Sequence, residues 1–362
     1  MTKKILSTIA ACACLYASQP DAFAQGVRFQ KISLARALDS ARLTNKLVFA
    51  DCYTDWCGSC KYMDDSVFSR AAEGSFFNEK FINVKFNMEG DDGAAIAERY
   101  RVHAYPTFLI LRPDGVMQHK ILGFSNDIIR EATDGLDEQR AIAFLDKKYD
   151  EGRRDKPFLI TYLSALMNIS ENEKANAVRD DLFLLLDTHE RTSADCWFIY
   201  DHPEFTERGT ENFDFLMAHL DDFRRSVGRE LVDERVVYAY MSDLYALLAR
   251  PSAPSPNEFK KMKKELSPCK LKNQAALFTC IDIFRDCLGQ DAKQLLKTCK
   301  RGFRNLSEEQ VDVGAYALNT LKTAFPGRVP ELKALAKMLI VNVSNEEYKN
   351  FLTHMFDDAG TE

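Results

Sequence analysis

A seven-residue apolar run, Leu47-Val48-Phe49-Ala50-Asp51-Cys52-Tyr53, is followed two residues later by Trp56-Cys57-Gly58-Ser59-Cys60-Lys61. A continuous apolar run of that length reads as a central strand covered on both faces. Cysteines three apart at the start of a helix share one face and can close a disulfide within a turn. At a helix start the first cysteine faces unpaired backbone N–H groups, which favour the thiolate, the nucleophilic form. The second is placed to attack a mixed disulfide made by the first. Strand, cysteine pair and helix in that order constrain this stretch to a redox device on an α/β scaffold.

Half of a zinc site is the competing reading of Cys-x-x-Cys. No second pair stands at zinc-finger spacing, and the near candidates are Cys52 and His103. The pair therefore reads as redox, with no metal and no cofactor required.

The stretch resembles the thioredoxin superfamily, and the likeness extends beyond the cysteines. It includes Trp56 to Lys61, an acid six residues before the first cysteine (Asp51), and Tyr105-Pro106-Thr107 at the place of a cis-proline. It covers about residues 28–136, and is nearest to the periplasmic tip of transmembrane thiol–disulfide interchange reductases. Thioredoxins proper carry Gly-Pro between the cysteines, whereas this chain has Gly58-Ser59. The resemblance implies Cys57 as attacking sulfur, Cys60 as resolving sulfur and Asp51 as proton carrier for Cys60. It further implies that Trp56, Tyr105 and Pro106 meet substrate, the backbone before Pro106 pairing with an extended chain. Lys61 either adds positive potential near the thiolate or is a surface lysine of the helix. The hydroxyl or freer N–H of Ser59 can hydrogen-bond the Cys57 thiolate, which stabilises the reduced form and raises the potential above that of a Gly-Pro protein.

The 362 residues allow two domains. Lys3 and Lys4, the apolar run Ile5 to Ala17, and Ala22-Phe23-Ala24 follow one another as in a secretory signal. Cleavage after Ala24 is expected, with a lipobox around Ile9-Ala10-Ala11-Cys12 as the alternative. The formal net charge is −6, and the first 24 residues contribute +1, so a chain starting at residue 25 stands at −7. That balance argues against nucleic acid or anionic lipid as the main partner. The expected product is exported to the periplasm or cell envelope, tethered to a membrane only if Cys12 is lipidated. Of the cysteines beyond the motif, Cys52, Cys196, Cys269, Cys280, Cys287 and Cys299 read mostly as small buried hydrophobes. A 269–299 bridge stays open.

Along the chain, a strand at Val27 to Gln30 leads into a helix capped by Ser33, and strand Leu47 to Tyr53 precedes the motif. Strands at 81–88, 107–111 and 116–122 and helices at 94–100 and 126–133 complete a thioredoxin-like α/β domain over 25–136. Asp134-Gly135 then breaks the pattern. Amphipathic stretches fill 137–362, which read as an all-α, irregular solenoid-like domain without a catalytic motif.

Two function classes follow. One is an exported protein disulfide reductase or isomerase, acting on disulfide-bearing proteins and kept reduced by a membrane thiol–disulfide donor. The other is a binding or assembly protein that uses the thioredoxin domain as a platform. Asp51, both cysteines and Pro106 together favour the first, because a platform needs none of them.

Overall fold

The computed structural model describes residues 26–90, 92–252 and 254–356. The signal segment, Cys12 and the cleavage position lie outside the described residues. The chain forms two compact units, one ending at Leu185 and the other starting at Leu186.

The first unit is built on a four-stranded sheet of β1 (Leu47–Tyr53), β2 (Phe81–Asn87), β3 (Thr107–Leu111) and β4 (Met117–Leu122). The order is β2-β1-β3-β4, with β1 parallel to β2 and both other pairs antiparallel. Gln30 adds a single parallel bridge to Val84, all that forms of the strand expected at 27–30. Alternation along the central strand sorts side chains to two faces. Val48, Ala50 and Cys52 join one core with Ala37, Ala41, Ile96 and Tyr100, from α1 (Leu34–Thr44) and a later helix at Gly93–Tyr100. Phe49 joins the other with Met63, Val67, Phe77, Phe108 and Ile128. Phe49 is fully buried and stacks on Phe108 with ring centroids 5.5 Å apart.

The motif helix α2 (Gly58–Tyr62) passes directly into a π-helical stretch, Met63–Phe68. Then come α3 (Ala71–Lys80), α4 (the Gly93–Tyr100 helix) and α5 (Ile128–Asp134). Ser33 caps α1 through the Arg36 N–H, as its position in the sequence suggests.

The first unit runs on past residue 136. Three helices, α6 (Ile142–Asp150), α7 (Lys156–Asn168) and α8 (Asn172–Phe183), belong to it, and α6 packs on β4. The Ile142 N–H donates to His119 Nδ1 on β4 at 3.4 Å. Lys120, also on β4 and only 4% exposed, donates to the Arg101 carbonyl at 2.8 Å. Its charge is met by Glu171, 3.6 Å away at the start of α8.

The second unit is helical, its longest member being Arg229–Ala246. Asp233 within that helix is buried and paired with Arg224 at 2.6 Å and Arg229 at 3.4 Å. His202 joins helix Trp197–Asp201 to a 3-10 turn at Pro203–Phe205.

Candidate redox site

Cys57 and Cys60 form a disulfide with an S–S distance of 2.10 Å. Cys57 is the N-cap of α2, and its sulfur accepts the Cys60 N–H at 3.1 Å. Both cysteines are 4% exposed. The Ser59 hydroxyl lies 3.4 Å from Cys57 Sγ and donates to the Tyr105 carbonyl at 3.5 Å. One hydroxyl thus links the cysteine turn to the segment facing it. The Tyr105–Pro106 peptide bond is cis, as the motif suggests. Thr107 Oγ1 donates to the Ala104 carbonyl at 2.7 Å, tying the turn that carries this bond.

Asp51 occupies β1 on the same face as Phe49, the face covered by the helix that follows the cysteines. It is 1% exposed, and burial raises its carboxyl from 3.8 to about 6, against an opposing pull from Lys85. Parallel pairing sets Asp51 opposite Lys85 on β2. Lys85 Nζ lies 3.1 Å from Asp51 Oδ2 and also contacts Asp64 on the π-helical stretch. One cation is thereby shared between a buried carboxylate and a partly exposed one. Asp51 Oδ1 has no hydrogen-bond partner in the structure, nor does the buried Thr54 hydroxyl.

Trp56 is 67% exposed and is no part of a core. Its indole N–H donates to Glu89 at 2.9 Å, and its ring meets Tyr105 edge to face with centroids 5.9 Å apart. The Glu89 N–H is itself held by Asn87, whose amide donates to Asp55. Lys61 is exposed on α2.

The structure therefore gathers Cys57, Cys60, Trp56, Tyr105 and Pro106 around one disulfide, with Asp51 buried in the strand that leads to it. Sequence reasoning missed Lys85, Asp64 and Glu89. Lys85 carries a signal in retrospect, being the one charged residue of β2 (Phe81–Asn87); Asp64 and Glu89 carry none.

Among the described residues the other six cysteines are free thiols, so Cys269 and Cys299 are not bridged. Cys52, Cys280, Cys287 and Cys299 are buried, and Cys269 is half-buried. Burial pushes the thiols of Cys280 and Cys287 up to about 12, and those of Cys52 and Cys299 further still. Such thiols stay protonated and unreactive at neutral pH.

The profile of a thioredoxin-like family matches residues 28–113. A thioredoxin from Echinococcus granulosus is 35% identical over 95 residues, which are 26% of this chain and 82% of that protein. A thiol:disulfide interchange protein, DsbD, from Pseudomonas fluorescens is 35% identical over 83 residues, 23% of this chain but 14% of that much longer protein. A solution structure of a candidate disulphide-isomerase from Bacteroides thetaiotaomicron is 33% identical, covering 31% of this chain and 95% of that one at a TM-score of 0.30. With a cysteine pair opening a helix, a cis-proline turn and 35% identity over 82% of a thioredoxin, the chain belongs to the thioredoxin superfamily.

Proposed function

We propose that the protein is an exported thiol–disulfide oxidoreductase that reduces or isomerises disulfides of other proteins. The observation that carries the proposal is the convergence of the Cys57–Cys60 disulfide, the cis bond at Pro106 and the buried carboxyl of Asp51. In the reduced protein, the Cys57 thiolate attacks one sulfur of a substrate disulfide. That S–S bond breaks, a Cys57–substrate disulfide forms, and the released substrate sulfur takes up a proton. Cys60 then yields its proton to Asp51 and attacks Cys57 Sγ, releasing the second substrate sulfur, which is protonated in turn. The protein has passed two electrons to the substrate and ends as the disulfide. A membrane thiol–disulfide donor returns two electrons to restore the dithiol, and the likeness to a thiol:disulfide interchange protein supports that source.

Trp56, Tyr105 and Pro106 receive the substrate chain, which pairs with the backbone before Pro106. Export rests on the order of charged, apolar and small residues in the first 24 positions. The helical second unit selects partners or mediates assembly.

The test is reduction of insulin in the presence of dithiothreitol, with two variants alongside. Cys57→Ser should lose the activity, and Cys60→Ser should accumulate mixed disulfides through Cys57. An active Cys57→Ser protein together with an empty Cys60→Ser trap would sink the assignment.

A further inference from the structure

The longest helix of the second unit, Arg229–Ala246, is apolar on two sides. One side is core, where Val232, Val236, Ala239, Tyr240 and Leu244 are buried. The other side carries Leu231, Tyr238 and Tyr245, which are 53%, 54% and 43% exposed. These three recur at heptad spacing, and Met241 falls between the two tyrosines. In a coiled coil they would be three a positions and a d position, the seam along which one helix receives another. From Leu231 to Tyr245 the seam runs roughly 21 Å at the helical rise per residue.

The same residues line a groove of about 940 Å³, whose other walls include Lys272, Asn273 and the turn at Ser307 to Gln310. The rings are held in place. Tyr245 meets Phe284 edge to face with centroids 5.4 Å apart, and the Arg235 guanidinium lies 5.1 Å from the centre of the Tyr238 ring. A contiguous apolar stripe fixed in water is preorganised to be covered.

Charge indicates what covers it. Six carboxylates line the groove (Asp201, Glu230, Asp233, Glu234, Glu308 and Glu309) against two cations, Arg235 and Lys272. Asp233 is engaged by Arg224 and Arg229, Glu230 by Lys272, and Glu308 by the Ser344 N–H at 2.6 Å. Arg235 is buried and donates to the carbonyls of Tyr200 and Thr206 at 2.8 and 2.7 Å. Asp201, Glu234 and Glu309 are exposed and form no ion pair among the described residues. Glu234 stands at the d position between Leu231 and Tyr238, within the seam itself. A second copy of this helix would bring like charges to that seam, whereas a chain bearing Lys or Arg would neutralise them.

We infer that this seam docks a helical segment of a partner protein, one with Leu, Met or aromatic side chains at heptad spacing and Lys or Arg beside them. The inference rests on the second unit being the partner-selecting part, names that partner's chemistry, and involves no thiol step.

The test uses the full chain and a fluorescent peptide of about four helical turns, with Leu at a and d and Lys at e and g. Two control peptides replace every Lys by Glu or every Leu by Ser. Fluorescence anisotropy should show the Leu/Lys peptide binding about tenfold more tightly than either control. Leu231→Gln/Tyr238→Gln should lower its affinity to that of the Ser control. Glu234→Lys/Glu309→Lys should reverse the order of the Lys and Glu peptides. All four side chains are exposed, so both variants should keep the wild-type urea midpoint. Equal binding of the three peptides by the wild type, or a preference that survives either pair of substitutions, overturns the inference. So does a wild-type dimer in sedimentation that Leu231→Gln/Tyr238→Gln dissociates, because a second copy would then occupy the seam. Insulin reduction on the same samples separates this inference from the exchange reaction. Peptide discrimination without reduction supports the seam and strikes the reductase reading, and reduction without discrimination does the reverse.

Discussion

Lys85 Nζ lies 3.1 Å from the carboxylate of Asp51, and the two residues sit opposite each other on parallel strands. The pair is asymmetric. Asp51 is almost fully buried and Lys85 reaches toward solvent, where Asp64 competes for its charge. A shared cation compensates the buried carboxylate incompletely, and burial wins, so the carboxyl titrates near neutrality, about 6.

Replacing Asp51 by Asn should therefore stabilise the fold while it slows exchange. The rise from 3.8 to about 6 sets a ceiling of roughly 3 kcal/mol on the gain at pH 7. Lys85 keeps Asp64 as partner in the variant, so no cation is orphaned. Urea unfolding and the rate of insulin reduction read the two effects separately. A variant that is less stable, or one that exchanges as fast as the wild type across neutral pH, would remove Asp51 from the proton path.

The pH dependence of stability should show two opposing contributions. Between about pH 4 and 6 the Asp51 carboxyl is protonated in the fold and ionised in the unfolded chain. The folded state then holds more protons, so this contribution weakens as pH rises through the window. His119 behaves in the opposite sense. Burial lowers it from 6.5 to about 4, and the unfolded chain holds the proton in between. Its contribution is present above pH 6.5 and is lost as pH falls toward 4. The stability difference between Asp51→Asn and wild type should be small below pH 4 and reach a plateau above pH 6. His119→Gln should flatten the acid side instead. Denaturation midpoints taken from pH 4 to 7 read both.

Ser59→Ala should make the disulfide harder to reduce. The hydroxyl is 3.4 Å from Cys57 Sγ and can donate to the thiolate, a hydrogen bond to a charged group. Losing it should shift the potential by about 30 mV to more negative values, the equivalent of ~1.4 kcal/mol. Equilibration against glutathione measures this. An unchanged potential would mean that the hydroxyl serves the Tyr105 carbonyl alone.

A fragment of residues 26–185 should unfold as one cooperative unit, and one of 26–136 should be weaker by at least ~2 kcal/mol. The shorter fragment lacks Ile142 and Leu145, both buried, and strips Glu171 from the near-buried Lys120. Urea midpoints compare the two. Equal stability would make α6 to α8 dispensable to the sheet domain.

The strands Leu47–Tyr53 and Thr107–Leu111 were legible to the residue, because continuous apolar runs bounded by polar turns leave little freedom. The disulfide and the buried acid were legible from the local pattern, and the cis bond from the resemblance carried by Tyr105-Pro106-Thr107. Lys85 could not be assigned to Asp51 without the parallel register, which no local pattern encodes. Asp64 reaches Lys85 from a π-helical stretch that departs from the 3.6-residue period. The docking of α6 on the sheet, with α7 and α8 packed in turn behind it, was hidden for a related reason. Their apolar faces repeat at helical spacing whichever surface they cover, and the polar residues that mark the contact, His119 and Lys120 on β4 and Glu171 before α8, are brought together from distant parts of the sequence. The strand-and-helix pattern breaks at Asp134-Gly135, whereas packing changes at 185.

Lys120 and Glu171 have a consequence for recognition kinetics. Lys120 grips the Arg101 carbonyl, Arg101 Nη1 reaches Glu171 at 3.2 Å, and this clasp stands at the head of the segment that ends in Tyr105 and Pro106. An edge already immobilised from behind gives up little motion when a strand is laid on it. Under the proposed function, association there would need no slow rearrangement of the receiving edge, and differences among partners should be written in how long they stay rather than in how quickly they arrive.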